Sequence, residues 1–169
     1  MVNTGIPQVG EEAPDFELEG ARGQRVRLYQ ELERGPVIVY FYAAAFGYLC
    51  NAVIREIAAV KDQLDELGVE LLAVSTDDAR IQGVWKERMK IPFPLLSDPE
   101  GEVCQRYGVL IDDEVMRMSN RAVFLVDADG IVRYQWVAPD PAWKPDVEEL
   151  VQAVSDLDAD RCIGVREES

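Results

Sequence analysis

An α/β fold with a mixed central sheet flanked by helices is predicted by three observations. Val37 to Tyr42 is continuously apolar and rich in β-branched and aromatic residues, the mark of a strand buried on both faces. Beyond it, Val53, Ile57, Val60, Leu64 and Leu67 recur at helical spacing, and a second apolar run, Val69 to Val74, follows directly. Near the end, Ala122 to Val126 and Ile131 to Val137 flank Asp127-Ala128-Asp129-Gly130, a strong hairpin signal with glycine at the turn.

Taken in order, residues 1–15 read as an extended lead-in ending in Ala13-Pro14-Asp15. Phe16 to Leu18 and Val26 to Leu28 alternate apolar with polar residues around Gly20 and Gly23, the pattern of a small β-hairpin. Tyr29 to Glu33 fits one helical turn before Gly35-Pro36 breaks it. After the strand at Val37, the helical stripe is widened by Ile54 and Ala58, with Arg55, Glu56, Lys61 and Asp62 lying off it, and Gly68 stops the helix. Ser75-Thr76-Asp77-Asp78 then supplies cap chemistry for a helix reaching about Lys90. The β-α-β order makes the two strands parallel with a right-handed crossover. Pro92 and Pro94 interrupt the chain, and Ser97-Asp98-Pro99-Glu100 caps a short helix carrying Val103, Cys104 and Tyr107. Residues 108–121 read as a strand edge and loop turning at Asp112-Asp113-Glu114. After the C-terminal hairpin, a Pro-rich loop at 139–145 leads to a last helix with Val147, Leu150, Val151, Val154 and Leu157 on its apolar side. The sum, β-α-β-α, hairpin, α, is the thioredoxin-like order with an N-terminal β-hairpin extension and an inserted short helix. One domain over residues 1–157 and a polar tail over 158–169 are expected.

Composition limits the chemistry. With 32 acidic against 17 basic residues the net charge is −15, which repels nucleic acid and anionic lipid. The longest apolar stretch, about 14 residues, falls short of the roughly 20 that a bilayer span requires, and the first residues lack a basic region and an apolar signal core. A soluble, cytoplasmic protein with neither nucleic-acid nor membrane partners is expected. The chain has no histidine, which removes Ser-His and Cys-His catalysis and histidine-ligated zinc. Its 3 cysteines, Cys50, Cys104 and Cys162, form no C-x-x-C pair, so single-thiol chemistry remains, with a distant cysteine as an optional partner. Cys50 stands where a helix N-terminus leaves a buried strand, three residues before Val53 and seven before Ile57. It therefore falls in the first turn, on the inward face and partly accessible. Unpaired backbone N–H groups and the helix dipole favour negative charge there. Asp156, Asp158, Asp160 and Glu167 have a spacing like that of a calcium loop, but Arg161 occupies the glycine position, so no metal is expected.

In this setting FYAAAFGYLC resembles the peroxidatic-cysteine signature of the peroxiredoxins, the alkyl hydroperoxide reductase and thiol-specific antioxidant family, whose usual pattern is F-Y-P-x-x-[FW]-T-x-x-C. GEEAPDFEL, FPLLSDPEG and SNRAVFLVDADGIVRY resemble further blocks of that family in the same order. The resemblance implies a thiol peroxidase that needs no cofactor and reduces hydrogen peroxide or organic hydroperoxides. Cys50 matches the cysteine that attacks peroxide and becomes a sulfenic acid, and Arg121 matches the arginine that stabilises its thiolate and polarises the peroxide. A thiol reductant, such as a thioredoxin-like protein, would recycle the enzyme. A homodimer or larger homo-oligomer is implied as well.

Two positions depart from the pattern. Ala43 stands for the family's proline, which shields the thiolate, and Gly47 for its threonine, whose hydroxyl can hold the O–O bond in line for attack. Tyr48 adjoins the vacated position, but its side chain should point elsewhere. The two departures leave a second reading open, a peroxiredoxin-like protein with weakened peroxidase chemistry that acts as a redox-responsive binding protein or slow thiol oxidoreductase. Phe41, Tyr42 and Phe46 are expected to form the apolar wall of the pocket or a dimer contact. Cys104 reads as a core residue in preference to a resolving cysteine. Cys162, in the polar tail, has no packing reason to be there and is the stronger resolving candidate, although the Val-Cys-Pro context of C-terminally resolved relatives is missing.

Overall fold

The computed structural model describes residues 5–140 and 142–168, with the side chains from position 160 onward outside the description. Nine strands and six helices are present among the described residues: β1 (Glu17–Gly20), β2 (Arg25–Arg27), α1 (Leu28–Glu31), β3 (Val37–Phe41), α2 (Tyr48–Ala59), α3 (Lys61–Glu66), β4 (Glu70–Ser75), α4 (Ala79–Met89), β5 (Leu95–Ser97), α5 (Glu102–Arg106), β6 (Leu110–Asp112), β7 (Arg117–Ser119), β8 (Ala122–Val126), β9 (Val132–Val137) and α6 (Val147–Glu168). Seven strands form one mixed sheet in the order β2-β1-β5-β4-β3-β8-β9, while β6 and β7 make a separate hairpin. The central pairs β3/β4 and β4/β5 are parallel, and β3/β8 and β8/β9 are antiparallel.

The sheet divides the core in two. Because side chains alternate along a strand, Val37, Val39 and Phe41 of β3 face one way and Ile38 and Tyr40 the other. The first face packs against Leu28 of α1, Val103 and Cys104 of α5, and the lead-in residues Ala13 and Phe16. The second packs against Cys50, Val53, Ile54 and Ile57 of α2, Leu64 of α3, Trp85 of α4, and Leu150 and Val154 of α6. Every residue of β3 and β8 is buried, as expected of strands covered on both faces.

Four features differ from the sequence reading. The helix expected to run unbroken to Leu67 is divided at Val60, whose φ of −108° and ψ of 7° leave the helical region; Gly68, with φ of +75°, then ends the second piece. Leu95–Ser97 is a strand, although Pro92 and Pro94 read as an interruption. Its parallel pairing with β4 and antiparallel pairing with β1 bind the N-terminal hairpin into the main sheet. Residues 110–119 form the β6/β7 hairpin rather than a strand edge and loop; its turn is stabilised by the Asp113 side chain, which accepts from the backbone N–H of Val115 and Met116. Finally, α6 continues through Asp158 to Glu168, so the stretch read as a polar tail is helical in backbone.

Candidate active site

The site is built where β3 ends, α2 begins and β8 starts. In the antiparallel β3/β8 ladder Phe41 pairs with Ala122 and Tyr40 with Val123, so the C-terminal end of β3 lies beside the N-terminal end of β8. Arg121 immediately precedes that strand, and Cys50 is the third residue of α2. Between β3 and α2 the chain makes a tight connection in which Phe46 adopts a left-handed φ of 66°, unusual for a residue with a side chain. Asp77 fixes this connection by accepting from the Ala45 N–H at 2.7 Å and from Ser75 Oγ at 2.9 Å. On the other side of the thiol, Asn51 accepts from the Trp85 indole N–H at 2.7 Å, which holds the first turn of α2 against α4.

Cys50 and Arg121 meet at the centre of this arrangement. Arg121 Nη2 lies 4.0 Å from Cys50 Sγ. Both side chains are buried, at 1% and 8% exposure, so the charge of the guanidinium acts on the sulfur with little screening by water. Burial of the thiol is more complete than the partial accessibility expected from sequence, because the inward face of α2 is seated directly on the sheet. Arg121 is set by backbone contacts: its N–H donates to Asn120 Oδ1 at 2.9 Å, and its carbonyl accepts from the Ala138 N–H at 2.9 Å. Asn120 Nδ2 in turn donates to the Ala138 carbonyl at 3.0 Å, tying the start of β8 to the end of β9.

The remaining candidate positions are distributed around this pair. Ala43 is buried within the same core as Cys50. Gly47 is the N-cap of α2 with ordinary extended geometry, φ −66° and ψ 143°, and a Cβ built on it would lie 3.7 Å from Cys50 Sγ. Tyr42 faces the Cys50 side, with its hydroxyl 3.0 Å from Gln82 Nε2 and its ring 5.1 Å from that of Trp85. Phe46, 43% exposed, lies over Trp85 and beneath the Arg88 guanidinium. Phe41 does not line the site: strand alternation turns it to the opposite face, where it packs on Tyr107 and Phe124. Tyr48 points to solvent at 92% exposure and brings no hydroxyl to the thiol.

The second thiol lies apart from the first. Cys104 is buried in the core on the far side of the sheet. Burial pushes its thiol well above the ordinary range, and the neighbouring Asp98 carboxylate pushes it further. The Cys162 side chain lies outside the described residues. Sequence reasoning missed Asp77, Asn51, Trp85 and Gln82 as supports of the site. Asp77 was visible only as helix-cap chemistry, and the indole-to-Asn51 bond joins positions 34 apart in sequence, a contact with no local signal. Among the described residues, no helix is long and apolar enough to cross a membrane.

A model of the AhpC/TSA family matches residues 9–135. The chain is 32% identical over 134 residues to the peroxiredoxin Bcp of Escherichia coli strain K12, an alignment covering 75% of this chain and 83% of that protein. Among solved structures, the reduced 2-Cys peroxiredoxin of Plasmodium vivax superposes with a TM-score of 0.83 at 30% identity, covering 92% of this chain and 84% of its own. The peroxidoxin BcpB of Mycobacterium tuberculosis gives a TM-score of 0.81 at 26% identity, with 89% and 97% covered.

Proposed function

The chain belongs to the AhpC/TSA family and is a thiol-dependent peroxidase, and from that membership we propose that Cys50 is the sulfur oxidised by peroxide and Arg121 the cation that prepares it. The observation that carries this assignment is the 4.0 Å approach of Arg121 Nη2 to Cys50 Sγ in the first turn of α2. A guanidinium and a helix N-terminus both favour the thiolate over the thiol, and neither needs a histidine. The thiolate attacks the terminal oxygen of hydrogen peroxide or an organic hydroperoxide. The S–O bond forms as the O–O bond breaks, and the leaving oxygen departs as water or alcohol after gaining a proton. Sulfur is oxidised by two electrons to the sulfenic acid, and the peroxide is reduced by the same two. Arg121, already in place, offers N–H donors to the oxygen on which charge develops, so no reorganisation is needed at the moment of reaction.

A thiol reductant closes the cycle by attacking the sulfenic sulfur, releasing water and leaving a mixed disulfide that a second thiol reduces. In our reading the thiol that attacks the sulfenic sulfur is either Cys162 or an external one, such as that of a thioredoxin-like protein, and the resulting disulfide is then reduced by a further external thiol. The placement of Cys104 across the sheet supports leaving it out. We read the protein as cytoplasmic and as a homodimer or larger homo-oligomer; the exposed Phe46 and Tyr48 beside the buried thiol support self-association. The test is direct. Peroxide should modify Cys50 once per chain, in a form trapped by a sulfenic-acid reagent, and Cys50→Ser should abolish peroxide consumption. Undiminished consumption by Cys50→Ser would sink the assignment.

A further inference from the structure

Tyr40 carries a buried hydroxyl that the fold does not use. Its Oη is shielded from solvent and has no hydrogen-bond partner. Burying such a group unsatisfied is costly, and native cores rarely keep one without a reason. Packing alone does not supply the reason, since a phenylalanine would fill the same space. The neighbouring Tyr42 shows the usual solution, its hydroxyl lying 3.0 Å from Gln82 Nε2.

The placement of Tyr40 is specific. On β3 it points to the face that packs on α2, into the cluster holding Cys50, Val53 and Ile54. Its ladder partner on β8 is Val123, two residues beyond Arg121 and on the same face. The ring therefore lies between the strand end that carries the guanidinium and the helix that carries the sulfur. Burial keeps the phenol neutral, holding it well above the usual tyrosine range; among nearby charges the Cys50 thiolate strengthens that effect most, and Arg121 opposes it. The group is thus a neutral O–H donor, buried and without a hydrogen-bond partner. Gly47, at the mouth of α2, contributes no side-chain atom to the same sulfur.

We propose that Tyr40 is a further positioning residue of the peroxidase reaction, its hydroxyl donating to the oxygen transferred from peroxide to Cys50. In the resting protein the hydroxyl waits unpaired; the substrate oxygen, and then the sulfenic oxygen, completes it. The inference rests on Cys50 being the oxidised sulfur, and deepens that assignment.

The test is the isosteric deletion Tyr40→Phe, read in three ways. Reaction of Cys50 with hydrogen peroxide, followed by stopped-flow, should slow by roughly 10- to 100-fold, at or below the ~10²- to 10³-fold loss seen when an oxyanion-hole donor is removed, because Arg121 remains. Alkylation of the same thiol by iodoacetamide, which delivers no oxygen, should stay within about twofold of the parent. The melting temperature should hold or rise, because an unsatisfied group has been removed. Adding Gly47→Thr to Tyr40→Phe should restore peroxide reactivity by about tenfold or more, by placing a different hydroxyl beside Sγ. Parent-like peroxide rates in Tyr40→Phe, an equal loss of alkylation rate, or a variant that unfolds would each overturn the proposal. The last would mean that the hydroxyl holds the structure instead. Failure of the underlying site looks different: peroxide would then be consumed at the parent rate by Cys50→Ser.

Discussion

Cys50 and Cys104 occupy matching positions in two similar units, yet they meet opposite electrostatic surroundings. Each is the third residue of a helix that follows a strand, α2 after β3 and α5 after β5, and both strands pair in parallel with β4. Each helix has a glycine N-cap with no side-chain cap, and each thiol is buried. The units differ in what faces the sulfur. Arg121 approaches Cys50, whereas Asp98 accepts from the Cys104 backbone N–H at 2.9 Å and sets its carboxylate beside that thiol. The helices differ too, with 12 residues in α2 and 5 in α5. A helix N-terminus and burial are therefore common to both cysteines and distinguish neither. The sign of the neighbouring charge does: a guanidinium faces Cys50, whereas a carboxylate faces Cys104 and, with burial, holds that thiol above its ordinary range.

Removing that charge is the change expected to have the largest effect. Arg121→Gln takes away the cation but keeps a polar side chain of similar reach, and should lower the rate of Cys50 with hydrogen peroxide by about 10²- to 10³-fold. Cys104 should be indifferent to it. Stopped-flow measurement of peroxide reactivity, with far-UV circular dichroism to verify the fold, checks the expectation. A loss smaller than about threefold would mean that the guanidinium is not what distinguishes the two thiols.

The two N-cap glycines sharpen the comparison at the next level. Gly101 has a left-handed φ of 72°, and a Cβ there would meet Leu110 Cδ1 at 2.9 Å. Gly101→Ala should therefore cost about 1–2 kcal/mol in a denaturant titration. Gly47 has φ of −66°, so its backbone already suits a threonine; the Cβ must only gain a few tenths of an ångström from the Ala44 carbonyl oxygen, 3.2 Å away. Gly47→Thr should fold with stability within about 0.5 kcal/mol of the parent. With the Tyr40 hydroxyl in place, its peroxide rate should rise by less than about fivefold. A gain near 10²-fold would instead mark the native loop as a slow peroxidase, the second reading open from the motif departures.

The features legible in sequence were those with a local or periodic cause. Val37–Phe41, the hairpin around Gly130 and the Asp78 cap, which accepts from the Arg80 N–H, are each dictated by residues close together in the chain. The pairing of Cys50 with Arg121 came through resemblance, because their contact spans 71 positions and no spacing rule encodes it. Strand alternation could have removed Phe41 from the pocket list in advance, since Tyr40 and Tyr42 must share one face and Phe41 the other. It would have drawn attention to Tyr40 by the same step. Leu95–Ser97 could not have been found that way; three residues between prolines and a cap have no period, and only their neighbours β1 and β4 make them a strand.

The smallest effect on catalysis should come from the other cysteine. Cys104 packs with Val103 and Tyr107 in the core beneath β3 and β8, and its thiol is kept protonated by burial and by Asp98. Replacing it with alanine removes one buried sulfur and leaves the Asp98 bond to the backbone N–H available, since that donor belongs to the main chain. Cys104→Ala should then cost about 1–2 kcal/mol of stability from the small void, while turnover with peroxide and a thiol reductant stays within about twofold. In the parent, iodoacetamide should label Cys50 long before Cys104, whose modification should appear only as the protein unfolds in denaturant. Mass spectrometry of the labelled peptides measures both. Early labelling of Cys104, or an oxidation-induced disulfide between it and Cys50, would erase the contrast, because it would require the sheet that separates the two thiols to open under native conditions.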